Sequence, residues 1–199
     1  VSALLAQTPA AGSSPAPAGP ARNTLKQPMN EPQVVWASLS PQERASFITG
    51  DAGLPLKDRL LRVSERFLGT PYVHSPLGEG SGVDPDPTFR LDAVDCLTFV
   101  EQALAMSLAT AEPEVTGVLE RLRYASSPTY EDRNHLMEAQ WLPNNQRKGF
   151  LADVTRRYGG EDTVRVQKTL TAVTWTSRSS LALGLPKTRQ PRGTYSLDM

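Results

Sequence analysis

Cysteine is nearly absent from this chain of 199 residues, which has only Cys96. A single cysteine excludes an internal disulfide, and in an exported protein it is either a buried thiol or a reactive one. Neither sign of charge is in excess, because Lys and Arg total 21 and Asp and Glu also total 21. The chain lacks the basic surplus of a nucleic-acid-binding protein, so we expect no nucleic-acid partner.

Long apolar runs and metal-binding motifs are also missing. No apolar stretch has the length needed to span a bilayer, so we expect no stable membrane insertion. The two histidines, His74 and His135, show no recognised zinc spacing with the lone cysteine. The Gly-rich stretch GEGSG at 78–82 lacks the Lys-Ser/Thr and helix start of a phosphate loop. We therefore expect no metal and no cofactor.

The prolines are concentrated at the start of the chain. The opening VSALLAQTPAAG resembles the end of a signal peptide with its cleavage zone, although an ordinary disordered N-terminus is the alternative. SSPAPAGPA then reads as a flexible leader. We predict a signal-peptide remnant and disordered leader over 1–32 and an ordered part over 33–199. We then expect the protein to be periplasmic or otherwise exported, and we favour a soluble periplasmic protein.

Four helices are predicted in the ordered part. SPQE at 40–43 supplies an N-cap Ser, a Pro at the first helical position and a capping-box Glu, and this helix ends at Gly50. Apolar periodicity and Gly stops give the others. They span Leu56–Leu68, Asp95–Ala109 and Pro113–Tyr124. The apolar residues of the last are Val115, Val118, Leu119 and Leu122.

The third helix is predicted to bury one apolar stripe, and the end of the chain to be mostly irregular. The stripe consists of Leu97, Val100, Leu104 and Leu108. β-Branched alternation within Thr163–Thr176 indicates a strand. The Pro-rich end, residues 183–199, predicts no closing element.

The stretch HSPLGEGSGVDPDPTFR, from His74 to Arg90, is predicted to lack regular structure because it is rich in Gly, Pro and Asp. A loop of this length is uncommon in a compact domain and is often functional.

Cys96 lies at the predicted start of the third helix. If Asp95 is the N-cap, Cys96 is the first helical residue, where unpaired N–H groups and the helix dipole favour a thiolate. The Asp95 carboxylate opposes that effect. The alternative is that Cys96 is a small buried hydrophobic residue, as lone cysteines often are.

Three blocks in a fixed order carry a resemblance to a known family: FLGTPYV (67–73), VDCLTFVEQALAM (94–106) and YEDRNHLMEAQW (130–141). They resemble the N-acetylmuramoyl-L-alanine amidase-like family, a papain-like branch of the NlpC superfamily of cell-wall cysteine hydrolases. The resemblance spans roughly Leu60 to Gly160. It implies an α+β, papain-like fold in which the helical N-terminal half is present and the C-terminal β-barrel half is largely missing.

The resemblance also implies roles for individual residues. Cys96 matches the catalytic nucleophile, and Tyr72 matches the tyrosine beside it that helps polarise the substrate carbonyl. Asp95 is placed with the substrate-binding residues. Arg133, His135 and Trp141 match a segment beside the cleft, to which substrate recognition is assigned.

Ordinary structural roles are the alternatives for these residues. Tyr72 and Trp141 can be core aromatics with satisfied polar tips. Arg133 can pair with Glu131 or Asp132 on a solvated face.

The general base is the missing part of the resemblance. A cysteine amidase needs an imidazole to take the thiol proton and return it to the leaving amine. The family supplies it from a later strand with a His-Val-Gly-like motif, and no histidine follows His135 here. Either His135 is the base, or the chain is a fragment and the base lies beyond Met199. We expect the second case, with little amidase activity in this chain alone, and we interpret His74 as incidental.

The predicted function is a cysteine amidase that cleaves the N-acetylmuramoyl–L-alanine bond of peptidoglycan fragments through a thioester on Cys96. Two alternatives stay open: an endopeptidase that cuts within the stem peptide, and a non-catalytic module that binds wall fragments. We expect peptidoglycan fragments as the partner and a monomeric protein.

Overall fold

The computed structural model describes residues 34–171 and 193–199, all of which belong to one compact unit, Gln33–Met199. The predicted leader over 1–32 lies outside them. The helices are α1 (Pro41–Asp51), α2 (Leu56–Glu65), α3 (Cys96–Leu108), α4 (Glu114–Arg123), α5 (Leu142–Arg147) and α6 (Thr155–Gly159). Short 3-10 turns cover Trp36–Ser38, Tyr130–Asp132 and Gly160–Asp162, and a π-helical turn covers Met137–Trp141. The strands are β1 (Arg165–Leu170) and β2 (Gly193–Asp198).

The start of α1 follows the predicted local pattern. The Ser40 hydroxyl accepts a hydrogen bond from the Glu43 backbone N–H at 3.3 Å. In return, the Glu43 carboxylate accepts one from the Ser40 N–H at 2.7 Å. This reciprocal pair satisfies two backbone donors that no helical carbonyl can reach, which confirms the predicted capping box. α2 ends at Glu65, three residues before the predicted end at Leu68.

An aromatic cluster joins the first two helices to α3. The Trp36 ring meets Phe47 edge-on with centroids 5.1 Å apart, and Phe67 meets Phe99 in the same way at 5.5 Å. Trp36 is fully buried, and its indole N–H donates to the Val63 carbonyl at 2.9 Å. The buried Trp36 therefore has its polar tip satisfied, which makes it a stable anchor for the segment before α1.

The burial of α3 differs from the predicted stripe. α3 packs against both α2 and α4. Leu104 and Leu108 pack against the core, but Val100 is 38% exposed, so its placement on the buried face was wrong. Glu101 and Gln102 are buried instead. Because the helix has neighbours on two sides, burial covers a wider arc than the apolar residues alone predict. The α4 prediction is confirmed, with Val115, Val118, Leu119 and Leu122 all buried.

The C-terminal residues add a strand that the sequence did not predict. β1 and β2 pair antiparallel, from Arg165 opposite Asp198 to Leu170 opposite Gly193. The predicted strand Thr163–Thr176 is confirmed from Arg165 to Leu170, and its residues from 172 onward lie outside the described ranges. The expectation of no closing element was wrong. Residues 193–198 carry β-favouring Thr and Tyr side chains, and β1 supplies the partner edge on which they form a strand.

The described part of the chain thus has an α+β composition, with helices and an antiparallel sheet in separate stretches of sequence. None of its helices combines the length and the apolar character that crossing a bilayer requires.

Candidate active site around Cys96

Cys96 is exposed and opens α3, with Asp95 as the N-cap. The Asp95 Oδ1 atom accepts hydrogen bonds from the backbone N–H and the hydroxyl of Thr98 at 2.7 and 2.8 Å. The Thr98 hydroxyl in turn accepts from the Asp95 N–H at 2.8 Å. The cap is therefore a full capping box, and it orients the first turn of α3 around Cys96. The predicted helix start and N-cap are confirmed, and the alternative of a buried thiol is wrong.

A parallel backbone pairing brings the segment of Tyr72 alongside the residues before Cys96. The Val73 N–H donates to the Val94 carbonyl at 3.0 Å, and the Val94 N–H donates to the Pro71 carbonyl at 3.1 Å. Tyr72 lies opposite Val94 and is 67% exposed, so it is not a core aromatic. The structure thus places Tyr72 opposite Val94, two residues before Cys96, although Tyr72 and Cys96 are 24 positions apart in the sequence.

Asp95 also binds the segment that follows Tyr72. Its Oδ2 atom accepts a hydrogen bond from the Ser75 N–H at 3.1 Å. Ser75 has a φ of +51°, a left-handed conformation that a non-glycine residue rarely adopts. One carboxylate therefore caps α3 and holds a strained turn of the neighbouring segment. Because these bonds use the Asp95 oxygens, its charge is partly satisfied where it adjoins the thiol.

Arg133 is buried and bonded to two acids of the long loop. Its Nε donates to Glu79 Oε1 at 2.8 Å, its Nη2 donates to Glu79 Oε2, and its Nη1 donates to Asp84 Oδ2 at 2.8 Å. Burial lowers the pKa of the Arg133 guanidinium, but the bonds to Glu79 and Asp84 outweigh it and raise that pKa above its usual value. The alternative of a solvated pair with Glu131 or Asp132 is wrong.

His135 lies on the segment that pairs with the end of α4. Its Nε2 is 2.7 Å from the Tyr130 carbonyl oxygen, and its ring meets the Tyr130 ring edge-on at 4.7 Å. Burial lowers the pKa of the His135 imidazole, and it outweighs the hydrogen bond to the Tyr130 carbonyl, which raises that pKa. Within residues 34–171 and 193–199, no hydrogen bond joins Cys96 to His135 or to the exposed His74. The backbone pairing with Val94 therefore ties Tyr72 to the segment before Cys96, whereas His135 contacts Tyr130.

Trp141 is buried and pairs with an acid of α3. Its indole N–H donates to the Glu101 carboxylate at 2.8 Å, and Glu101 is only 2% exposed. Burial raises the pKa of Glu101 to about 7, although Arg123 and the Trp141 bond both act to lower it. The alternative of Trp141 as a core aromatic with a satisfied tip agrees with these contacts. Glu101 lies five residues after Cys96 on the same helix.

Among the described residues, no group of three or more His, Cys, Asp or Glu side chains could hold a metal ion.

A model of the N-acetylmuramoyl-L-alanine amidase-like family matches residues 62–189. The chain belongs to this family. The matched range contains every candidate residue of the site, from Tyr72 to Trp141.

Solved structures resemble this amidase-like chain in sequence and fold. Two structures of an N-acetylmuramoyl-L-alanine amidase from Bacteroides uniformis are 27% and 28% identical to it, with TM-scores of 0.52 and 0.53. Each comparison covers 67% of this chain and 57% of the amidase. A protein from Legionella pneumophila, assigned to the family DUF1460, is 22% identical with a TM-score of 0.64. That comparison covers 79% of this chain and 62% of the other, and it supports the fold alone.

The amidase-like chain spans about three-fifths of the length of these solved structures. No curated protein matches it.

Four residues at this amidase-like site were not assigned to it from the sequence. Glu79 and Asp84 lie in a stretch rich in Gly and Pro, and nothing local shows that both bind Arg133. Glu101 lies within a predicted apolar helix, and its partner Trp141 is 40 positions away in the sequence. Thr98 had a usable signal, because a Thr three residues after an Asp N-cap can complete a capping box.

Proposed function

We propose that this chain is the nucleophile-bearing part of a cysteine amidase that hydrolyses the N-acetylmuramoyl–L-alanine bond of peptidoglycan fragments. The observation that carries the proposal is the exposed Cys96 at the first position of a capped, buried helix, with Tyr72 paired alongside. Membership of the amidase-like family supports the substrate class. The amidase from Bacteroides uniformis, at 28% identity, supports the reaction type.

In the proposed reaction, Cys96 Sγ attacks the carbonyl carbon of the muramoyl lactyl group while a base takes the thiol proton. The C–N bond breaks, and the proton passes to the departing amine of L-alanine. A water molecule then attacks the thioester, which releases the muramic acid carboxyl group and restores the thiol. The Tyr72 hydroxyl polarises the carbonyl, which is the role that its match to the family implies.

We propose two possible locations for the general base. His135 has a depressed pKa, so it is neutral near pH 7, as a base must be. Its contact with the Tyr130 carbonyl would fix which ring nitrogen holds the proton. The second location is on a longer version of the chain, in which case this chain alone has little activity. Comparing wild type and His135→Gln with a longer protein, on a muramyl-L-alanine substrate, separates the two.

The residues that the sequence assigns to substrate binding are Tyr72, Asp95, Arg133 and Trp141, of which Arg133 and Trp141 are buried. Tyr72 is the member of this group that is open to solvent, so we propose that it touches the fragment directly. Asp95 acts beside it through the Ser75 turn. The wider proposal is a papain-like, monomeric protein that is exported to the periplasm.

Thiol alkylation tests the nucleophile, because Cys96 is the only cysteine and any thiol label reports on it. We expect iodoacetamide to react with Cys96 at pH 7 about tenfold faster than with an exposed cysteine that is not at a helix start. The matched control is Val100→Cys in a Cys96→Ala background, since Val100 lies on the same helix and is exposed. Equal rates at the two positions would remove the support for an activated thiol and favour the wall-fragment binding module.

The bond cleaved is tested with product analysis. Muramyl-L-alanine and a muramic acid-free stem peptide are given separately to the whole protein and to its Cys96→Ala variant. Release of L-alanine from the first, lost in the variant, supports the amidase. Cleavage confined to the second peptide indicates the endopeptidase alternative.

A further inference from the structure

We propose that Arg133 is a positioning residue of the Cys96 site, which acts by locking the loop between Tyr72 and Cys96 rather than by touching substrate. Its partners are Glu79 and Asp84, and the three residues are called the loop clamp below. The inference rests on the proposed function for its effect on catalysis, while the locking itself is independent of it.

The loop clamp is closed to solvent. The side chains of Arg133, Glu79 and Asp84 are each less than a tenth exposed. Three different nitrogens of the guanidinium donate to carboxylate oxygens, and one face of the group lies over the Tyr130 ring, 5.1 Å from its centroid. The Tyr124 hydroxyl donates to Glu79 at 3.0 Å. A substrate carboxylate would have to displace two buried acids to reach Arg133, which makes direct recognition unfavourable.

The loop folds back on itself so that both acids reach one guanidinium. The Gly78 N–H donates to the Pro87 carbonyl at 3.0 Å, and the Glu79 N–H donates to the Asp84 carbonyl at 2.9 Å. A Cβ atom at Gly78 would lie 2.5 Å from that Asp84 oxygen, so only glycine fits. The loop therefore has a defined internal structure, and Arg133 fixes it from outside.

Both ends of the loop attach to α3, one at its N-cap and the other at its middle. At one end, the Ser75 N–H donates to Asp95, the residue that caps α3. At the other end, the Arg90 N–H donates to the buried Gln102 side chain at 3.3 Å. Between them, the Leu77 carbonyl accepts from Arg123. A loop released from Arg133 would transmit its motion to the Ser75–Asp95 bond and to the pairing of Tyr72 with Val94, which flank Cys96.

The test uses Arg133→Lys in the whole protein. Lysine keeps the charge but cannot form the forked bonds to Glu79 and Asp84, so the fold has a better chance of surviving. The control is Ile48→Ala, a buried residue of α1 outside the loop clamp, compared at a temperature where both variants are folded. Two quantities are measured: hydrogen exchange of the Val73 and Ser75 amides, and kcat and KM on muramyl-L-alanine.

We expect Arg133→Lys to speed exchange at Val73 and Ser75 at least tenfold and to lower kcat at least tenfold, with KM changed less than threefold. Ile48→Ala should leave both amides and kcat within about twofold of wild type. A raised KM with unchanged kcat and unchanged exchange would mean that Arg133 binds substrate and would overturn the inference. Equal changes in amide exchange and in kcat in the two variants would mean that Arg133 contributes only to general stability. That result would also overturn the inference.

The two proposals fail in different ways. If the wild-type protein shows no amidase activity, the proposed function fails, and exchange at Val73 and Ser75 still decides whether Arg133 locks the loop. If the wild-type protein is active but Arg133→Lys leaves exchange unchanged, only the positioning role is overturned.

Discussion

Cys96, at the start of α3, and Glu101, near the middle of the same helix, lie in different environments. Cys96 opens the helix and is exposed, and its surroundings are built from the neighbouring cap of Asp95 and Thr98. Glu101, five residues later, is buried and bonded to Trp141, which is 40 positions away in the chain. The helix cap at the exposed end is closed by local hydrogen bonds, whereas the buried layer depends on partners from distant segments.

This difference predicts where substitutions will lower the stability of the fold most. Local caps contribute about 1 kcal/mol each to stability, because solvent can replace much of what they supply. Buried charges cost far more when they lose a partner, because no water can reach them. The site therefore places its reactive group where changes are tolerated and its supporting groups where they are not.

The largest expected effect is in the buried layer. Arg133→Met removes the cation from Glu79 and Asp84 and leaves two buried acids without it, which should lower the free energy of unfolding by about 3–5 kcal/mol. The matched control is Arg62→Gln, which breaks the Arg62–Asp51 pair, where Arg62 is 52% exposed. That change should cost about 1 kcal/mol or less. Urea unfolding measures both, and similar losses would show that the two environments do not differ.

The second effect is a pH dependence that comes from Glu101. Its pKa of about 7 in the folded protein exceeds the ordinary value of 4.5, so the folded state holds this proton more tightly than the unfolded state. The contribution to stability is therefore complete below about pH 4.5 and is lost as pH rises to about 7, by about 3 kcal/mol. Glu101→Gln keeps an acceptor for Trp141 but cannot ionise, so it should remove this loss.

The measurement is urea unfolding of wild type and Glu101→Gln between pH 4.5 and 8. The difference between the two profiles isolates Glu101, because the other titrating groups are common to both. Glu161→Gln, a change at an exposed acid, serves as the control and should follow the wild-type profile. Parallel profiles for wild type and Glu101→Gln would contradict the raised pKa.

A smaller effect is expected at the cap. Asp95→Ala removes the acceptor for the Thr98 N–H and should lower stability by about 1 kcal/mol. Asp95→Asn keeps an acceptor for Thr98 and should cost less, although its amide cannot also accept from Ser75. Thermal unfolding ranks the three proteins. A cost for Asn equal to that for Ala would show that the Ser75 bond, rather than the helix cap, is the main contribution.

The smallest effect is expected at Cys96 itself. Because the thiol is exposed, Cys96→Ala should change the free energy of unfolding by less than about 0.5 kcal/mol while removing the proposed nucleophile. Met106→Ala, on the same helix but buried, should cost about 2–5 kcal/mol. Unfolding of the two variants by urea provides the comparison. A large loss for Cys96→Ala would place the thiol in the core and favour a structural cysteine.

Prediction from the sequence succeeded where neighbouring residues decide the structure. The Ser40 capping box, the start of α3 at Cys96 and the buried face of α4 all depend on residues within one or two turns. Prediction failed where the structure of a residue depends on elements far away in the sequence. Val100 is exposed because α2 and α4 set the buried arc of α3. β2 forms because β1, more than twenty residues earlier, provides an edge.

The sequence by itself determined the family, through three ordered blocks, and the position of a lone cysteine after a capping aspartate. Only the tertiary structure decided that Arg133 binds Glu79 and Asp84 and that Glu101 is buried against Trp141. The physical reason is the separation along the chain between the residues that interact. Caps and turns are closed by hydrogen bonds between near neighbours, whereas the partner of a buried charge is selected by how the whole chain folds around it.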